Sequence, residues 1–474
     1  MKARIRVLAM GFGATVSTVS LLVACSDDEA RVRETAPAPD AGSDSVTDPP
    51  PPPAPEDEAG VDAGHPERPP FDPADEPVVC DAGAAECAVQ IVAGKNHFCA
   101  RMSDGTVRCW GEDAFGAIGE APRTDGGAPP PVRTIGGLSG VTQISAAGAT
   151  TCARLDDGTA KCWGDNRAGQ LGLDGVRPTY DSAAHPVPTQ VDLKEAVSRI
   201  DVGPRVVCAV LASGNVACWG ENWQQQITQP SSSVSVPLEI DRGSFEIAKV
   251  SIGSQTTIAL TPGGDVVSWG QLDVRNGVLG GRYASLSPNP ELVAIAELHD
   301  VTSFAASATL ERDQDGRLGT VPPPPAPPGG ALPHAHACAI ADGEVYCWGR
   351  SDFGALCTGL FDTERLPAHA PINGKAWPQQ IAVGDELTCA RMTDGSIQCC
   401  GVDHRGRLGV GFSTIFVPVE AFKGHAVQVA TSHRAICALL QDGTVECWGS
   451  NQYGELGQGP PDQDSHPTPA KVAF

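Results

Sequence analysis

Six cysteine pairs recur along this chain at almost constant spacing, each second cysteine followed by Trp-Gly or Cys-Gly. The segments are CARMSDGTVRCWG from Cys99, CARLDDGTAKCWG from Cys152, CAVLASGNVACWG from Cys208, CAIADGEVYCWG from Cys338, CARMTDGSIQCCG from Cys389 and CALLQDGTVECWG from Cys437. A seventh copy, IALTPGGDVVSWG from Ile258, keeps the pattern without the cysteines. Each copy reads as strand, Gly-containing turn, strand, the strongest local signal for a β-hairpin. Two residues before the second cysteine position every copy is apolar (Val107, Ala160, Val216, Val266, Val345, Ile397, Val445), while the residue after it varies from Arg108 to Tyr346 to Glu446. That alternation buries one face of the strand more deeply than the other.

Hairpin geometry makes the cysteine spacing informative. Five copies place their cysteines ten apart around a three-residue loop such as Ser103-Asp104-Gly105. Counting back from Met102 opposite Thr106 sets Cys99 opposite Cys109, within the reach of a disulfide. The same count pairs Cys152 with Cys162, Cys208 with Cys218, Cys389 with Cys399 and Cys437 with Cys447. In the fifth copy the cysteines are nine apart, but the loop Asp342-Gly343 is one residue shorter, so Cys338 again faces Cys347. The fourth copy has lost both cysteines together, to Ile258 and Ser268. Structural zinc is the competing reading, but each hairpin brings one pair without a second ligand pair beside it. Cys80 and Cys87 are expected to staple a loop at the domain entrance. Cys357 stands where other copies have Gly and Cys400 where they have Trp; an extra bridge and two free buried thiols both remain open.

Seventeen cysteines suggest an oxidising compartment, and the N-terminus agrees. Lys2, Arg4 and Arg6 precede an uncharged, apolar and small-residue stretch, and Leu22-Val23-Ala24-Cys25 matches a bacterial lipoprotein cleavage box. Residues 1–24 are therefore read as a lipoprotein signal peptide and Cys25 as the lipidated residue; an ordinary signal peptide or an N-terminal anchor is the alternative. Ser26 suits outer-membrane sorting under the best-known Gram-negative rule. Between Ser26 and Val79 lie 15 acidic residues, three arginines and the run Pro49 to Pro53. This composition cannot bury a core, so residues 25–79 are expected to form a disordered acidic, Pro-rich tether.

After Trp-Gly the copies continue as DNRAGQLG (Asp165 to Gly172), HRGRLG (His404 to Gly409) and NQYGELG (Asn451 to Gly457), and a segment such as VTQISAAG (Val141 to Gly148) precedes the hairpin. This pattern resembles the regulator of chromosome condensation repeat over about 87–474. The resemblance implies an all-β fold, a seven-bladed β-propeller of four-stranded blades spanning 80–474, here with disulfide-stapled hairpins. Copies of about 50 residues already suit propeller blades. The Trp positions are 53, 56, 50, 79, 52 and 48 residues apart, which puts an insertion at about 309–333 ending in PPPPAPPGG. It either builds a binding face or is a disordered excursion. Pro131 to Ile135 reads as the opening strand of a repeat, and the first repeat lacks such a strand. Ala470 to Phe474 are therefore expected to complete the first blade and close the ring.

No P-loop, dinucleotide-binding glycine pattern, nucleophile elbow or HExxH motif is present, so no catalytic residue, metal ligand or cofactor is assigned. His97 and His336, two residues before a hairpin cysteine, are read as structural hydrogen-bonding residues; His334 beside His336 lacks a further ligand at suitable spacing. A formal charge of −24 argues against nucleic acid as a partner. The expected function is a monomeric, lipid-anchored scaffold at the cell envelope that binds a protein or polysaccharide. One alternative is an inhibitor of an extracytoplasmic enzyme such as a β-lactamase, with Trp223 and Trp377, the two tryptophans outside the repeat positions, as aromatic anchors. Guanine-nucleotide exchange, which family members perform on a small GTPase, is disfavoured by the export signals.

Overall fold

Each hairpin takes its register from its turn. In the first, Met102 N–H donates to Thr106 O at 2.9 Å and Gly105 N–H to Met102 O at 3.0 Å. The turn is possible because Gly105 adopts φ 79°, a region that costs a residue with a Cβ. Asp104 Oδ1 accepts from the Thr106 N–H at 2.8 Å and so locks the loop. Cys99 then lies opposite Cys109, and the fifth hairpin, turning on Asp342-Gly343, sets Cys338 opposite Cys347. All six hairpin pairs are disulfide-bonded, with Cα–Cα distances of 4.1 Å. Ile258 faces Ser268 in the fourth hairpin, where the Ser268 hydroxyl donates to Leu279 O at 2.9 Å.

The computed structural model describes residues 68, 71, 76–81, 86–119, 131–173, 181–222, 225–227, 234–253, 256–270, 278–281, 289–307, 335–350, 353–361 and 363–474. The signal peptide and Cys25, most of the tether, the 309–333 segment, Trp223 and His334 lie outside them. Within the described residues, 28 strands form seven four-stranded antiparallel sheets, each from four consecutive strands. The blades span 88–134, 141–190, 197–239, 249–294, 301–369, 378–418 and 426–471. In blade 1 the strands are Ala88–Ala93, His97–Met102, Val107–Gly111 and Val132–Thr134. The first strand of every blade lines a central channel and the fourth lies outermost.

This phase corrects the expected closure. Val132–Thr134 is the last strand of blade 1, not the first of blade 2, and Ser465–Lys471 pairs within blade 7, not with blade 1. A sequence repeat fixes a period but not where the period begins, and here each outer strand belongs to the blade that precedes it in the chain. The ring closes instead by side-chain packing. Seven apolar cores lie between adjacent blades among the described residues, and the one between blades 7 and 1 joins Ile91, Phe98 and Trp110 to Leu439, Leu456 and Val472. Phe474, just past the last strand, meets the Trp110 ring at 5.8 Å.

The repeat's tryptophan interlocks neighbouring blades. Each indole N–H reaches a carbonyl in the third-to-fourth-strand loop of the preceding blade: Trp163 to Ala117 at 3.0 Å, Trp219 to Gln170 at 2.9 Å, Trp269 to Gln226 at 2.7 Å, Trp348 to Val278 at 2.7 Å and Trp448 to Arg407 at 2.9 Å. Trp110 reaches back to Glu455 of blade 7 at 2.8 Å, so the closing seam uses the same device. Blade 6 has no tryptophan there. Cys400 at that position is disulfide-bonded to Cys357 in the blade 5 loop, with Cα atoms 5.6 Å apart.

Candidate binding surfaces

Strand direction divides the ring into two faces. One, the loop face, carries the turns between first and second strands and the loops between third and fourth. The other, the turn face, carries the Asp-Gly hairpin turns and the connections between blades. Residues 308–334 join the first and second strands of blade 5 in sequence, and the residues that flank them, Ser307 and Ala335, lie on the loop face.

The channel between the faces encloses about 300 Å³. Its wall is tied by side chains that imitate a neighbouring backbone. Gln90 accepts from Ile144 N–H at 2.9 Å and donates to Ile144 O at 2.9 Å. Gln143 does the same with Ile200, Gln380 with Val429, and Gln428 of blade 7 with Ile91 of blade 1. Elsewhere in the belt Asp201, held by Arg199, accepts from Val250 N–H at 3.0 Å, and the Ser303 hydroxyl accepts from Ile381 N–H at 3.1 Å. These amides are spent on the scaffold, because an unmet backbone group at a seam costs free energy.

The two repeat histidines are spent likewise. His97 is 1% exposed and its Nε2 lies 3.0 Å from Thr151 Oγ1 in blade 2; burial lowers its pKa to about 4, so the ring stays neutral. His336 stands in the same relation to Thr388, at 2.9 Å. The loop face holds a more open charged cluster at blades 6 and 7. His404 Nε2 lies 2.5 Å from Glu386 Oε2, and His433 Nδ1 lies 2.5 Å from Asp385 Oδ2. The hydrogen bond from His404 lowers the Glu386 pKa against the opposing effect of burial. Buried Arg407 donates to His433 O at 2.7 Å and to Val402 O at 3.0 Å beneath them. Among the described residues no group of three or more His, Cys, Asp or Glu side chains is placed to hold a metal ion.

Comparison with known proteins bears on this architecture. Models described as the regulator of chromosome condensation (RCC1) repeat match residues 88–117, 141–170, 342–391 and 426–455. The chain is an RCC1-repeat propeller. Its curated relatives include the E3 ubiquitin-protein ligase HERC2 of Mus musculus, 27% identical over 312 residues, which are 64% of this chain and 6% of that protein. The ultraviolet-B receptor UVR8 of Arabidopsis thaliana is 29% identical over 326 residues, 68% of this chain and 66% of the receptor. This chain thus spans a small fraction of HERC2 and just under two thirds of UVR8. Among solved structures, Prp20p of Saccharomyces cerevisiae superposes with a TM-score of 0.61 at 16% identity, covering 82% of this chain and 88% of that one. The likeness to Prp20p is one of fold.

On the turn face the RCC1-repeat propeller is crossed by residues that composition assigns to the tether. Arg68 Nη1 pairs with Glu344 Oε1 at 2.5 Å, and its guanidinium lies 4.5 Å from the centre of the Trp377 ring. Phe71 meets the same ring at 5.6 Å. Glu76 Oε2 lies 2.6 Å from His425 Nε2, and Val79 N–H donates to Gln441 O at 2.7 Å. The Cys80–Cys87 bridge follows, and Ala88 N–H donates to Gly443 O at 3.0 Å. The chain thus contacts blades 5, 6 and 7 before it begins blade 1. Trp377, a candidate anchor in the sequence, is half-buried beneath Arg68 and Phe71.

Proposed function

We propose that this RCC1-repeat propeller is an exported, lipid-anchored binding scaffold that engages a protein or polysaccharide through its loop face. The observation that carries the reading is the cysteine account. Eight bridges take up sixteen of the seventeen cysteines, and the one that remains is Cys25 of the lipoprotein box. Bridges of this number form and persist in an oxidising compartment, outside the cytosol where a small GTPase resides. Gsp1p and histones, named with Prp20p, are therefore poor models for the partner here.

The loop face is favoured because the turn face is partly covered by the chain itself. It also holds the Asp385–His433 and Glu386–His404 pairs and Ser307 and Ala335, which flank residues 308–334. The belt residues, repeat histidines and interlocking tryptophans are all engaged within the scaffold, which leaves the loops to supply recognition.

Two measurements test the parts separately. Cys25→Ser should move the protein from the membrane fraction to the soluble fraction; retention in the membrane would remove the lipid anchor. Deletion of 309–333 together with Glu386→Ala and His404→Ala should abolish capture of a ligand from intact cells by the 26–474 chain. Capture that survives all three changes would exclude the loop face.

A further inference from the structure

The pocket around Trp377 has the chemistry of a ligand site. Its floor is the Asp342-Gly343 turn of blade 5, one residue shorter than the turn of the first hairpin. A Cβ on Gly343 would lie 3.0 Å from Trp377 Cε3 and 3.4 Å from Phe71 Cγ, so the bare glycine makes room for both rings. The wall is the Trp377 indole, set by the connection into blade 6. Its anion is Glu344, which His369 also approaches, at 3.3 Å. An indole face beside a carboxylate suits one cation above others, the flat guanidinium that can stack and pair at once. Arg68 does both, and its side chain is only 8% exposed.

The fit is incomplete. Arg68 Nε is buried without an acceptor, so the present occupant leaves one donor unmatched. It comes from a stretch whose composition gives it little other reason to settle on the propeller, since proline and acidic residues surround it.

We propose that this pocket is a recognition site for an arginine-plus-aromatic peptide segment of a partner protein, with Arg68 and Phe71 as the resident occupant in cis. A tethered ligand acts at a local concentration on the order of millimolar, so it shields the pocket from weak binders and yields to a better-matched one. The site lies on the face opposite the one assigned above. Either assignment can therefore fail while the other stands.

The probe is a fluorescein-labelled peptide of sequence ERPPFD, that of residues 67–72, followed by anisotropy against the full chain. The Arg68→Ala/Phe71→Ala chain should bind it at least tenfold more tightly than the native chain, and adding Glu344→Gln should cost at least tenfold of that gain. Equal binding by the native and double-variant chains, or indifference to Glu344→Gln, overturns the proposal. A second measurement needs no substitution. An excess of unlabelled peptide, at several millimolar, should raise hydrogen exchange around residue 68 in the native chain, whereas the same peptide with lysine for arginine should not. No increase with the arginine peptide overturns it equally.

Discussion

At the scale of single residues, the blade 5–6 seam shows one interlock exchanged for another. In the ordinary pattern the last residue of the loop is Gly because the next blade's indole lies over it. A Cβ on Gly172 would come within 2.9 Å of Trp219 Nε1. Losing the tryptophan at 400 opens that space, and Cys357 fills it in the same left-handed conformation, at φ 58°. The carbonyl of Ala355, at the position that elsewhere accepts from the indole, accepts instead from the Thr388 hydroxyl at 2.7 Å. Two residues differ together from the repeat, and the missing indole hydrogen bond is answered by the bridge and by the Thr388 hydroxyl. Cys357→Gly alone should cost about 2–4 kcal/mol in urea unfolding, the usual range for a native bridge. Cys357→Gly with Cys400→Trp should regain more than half of that loss by restoring the repeat's own device. A double variant no more stable than the single one would mean the seam has rearranged around its cystine.

The closing seam carries a different residue-scale oddity. Glu455 occupies the loop position that is Gln170 in blade 2 and Gln226 in blade 3, and it is fully buried. Its Oε2 accepts from Tyr453 N–H at 2.7 Å, as Gln170 Oε1 accepts from Ala168 N–H, but its Oε1 has no partner. Burial raises its pKa to about 7, from an ordinary value of 4.5. The folded state therefore holds this proton more tightly than the unfolded chain. The associated stability is complete below pH 4.5 and is lost as the pH rises through about 7. Glu455→Gln should match the native protein at pH 4 and exceed it at pH 8 by about 1–3 kcal/mol, read from denaturant midpoints. Identical pH profiles for the two proteins would place the charged carboxylate comfortably in the fold.

At the scale of elements, what holds one blade to the next is repeated, so seams can be compared. Gln143→Ala at the blade 2–3 seam and Gln428→Ala at the closing seam each remove two hydrogen bonds to an inner strand. Each should lower stability by about 1–3 kcal/mol, and by the same amount within about 0.5 kcal/mol if the closing seam is an ordinary one. The hairpins themselves were legible in the sequence because both their signals are local: period-two burial along a strand, and a turn whose length fixes the register. The belt was not legible. Gln90 and Gln143 stand at equivalent positions, but four glutamines among Arg199, Lys249 and Ser303 look like ordinary solvent-facing variation until the neighbouring blade is in place. Trp377 was visible as an aromatic outside the repeat, but what covers it was hidden in a stretch that reads as spacer. Composition averages over such a stretch, and two anchoring side chains do not change the average.

For the whole molecule, the phase of the repeat decides how the ring can be opened. A propeller closed by a strand from the far terminus depends on that strand to complete a blade. Here every blade is made of four consecutive strands, and the closing contact is one more inter-blade core of the same kind as the other six. Val78 and Phe474, near the two ends of the folded chain, both pack on that core, so a short linker can join them. Gly243, in the connection between blades 3 and 4, is exposed with open space around its Cα. A permuted chain that starts at Gly243, runs through Phe474 and a linker to Val78, and ends at Arg242 should therefore fold. It should keep all eight disulfides by mass mapping and melt within about 5 °C of the native protein, since a single blade connection contributes little loop-closure entropy. A permuted chain that failed to fold would show that the blade 7–1 contact needs covalent continuity on the other side of the ring, and that the seven seams are not equivalent.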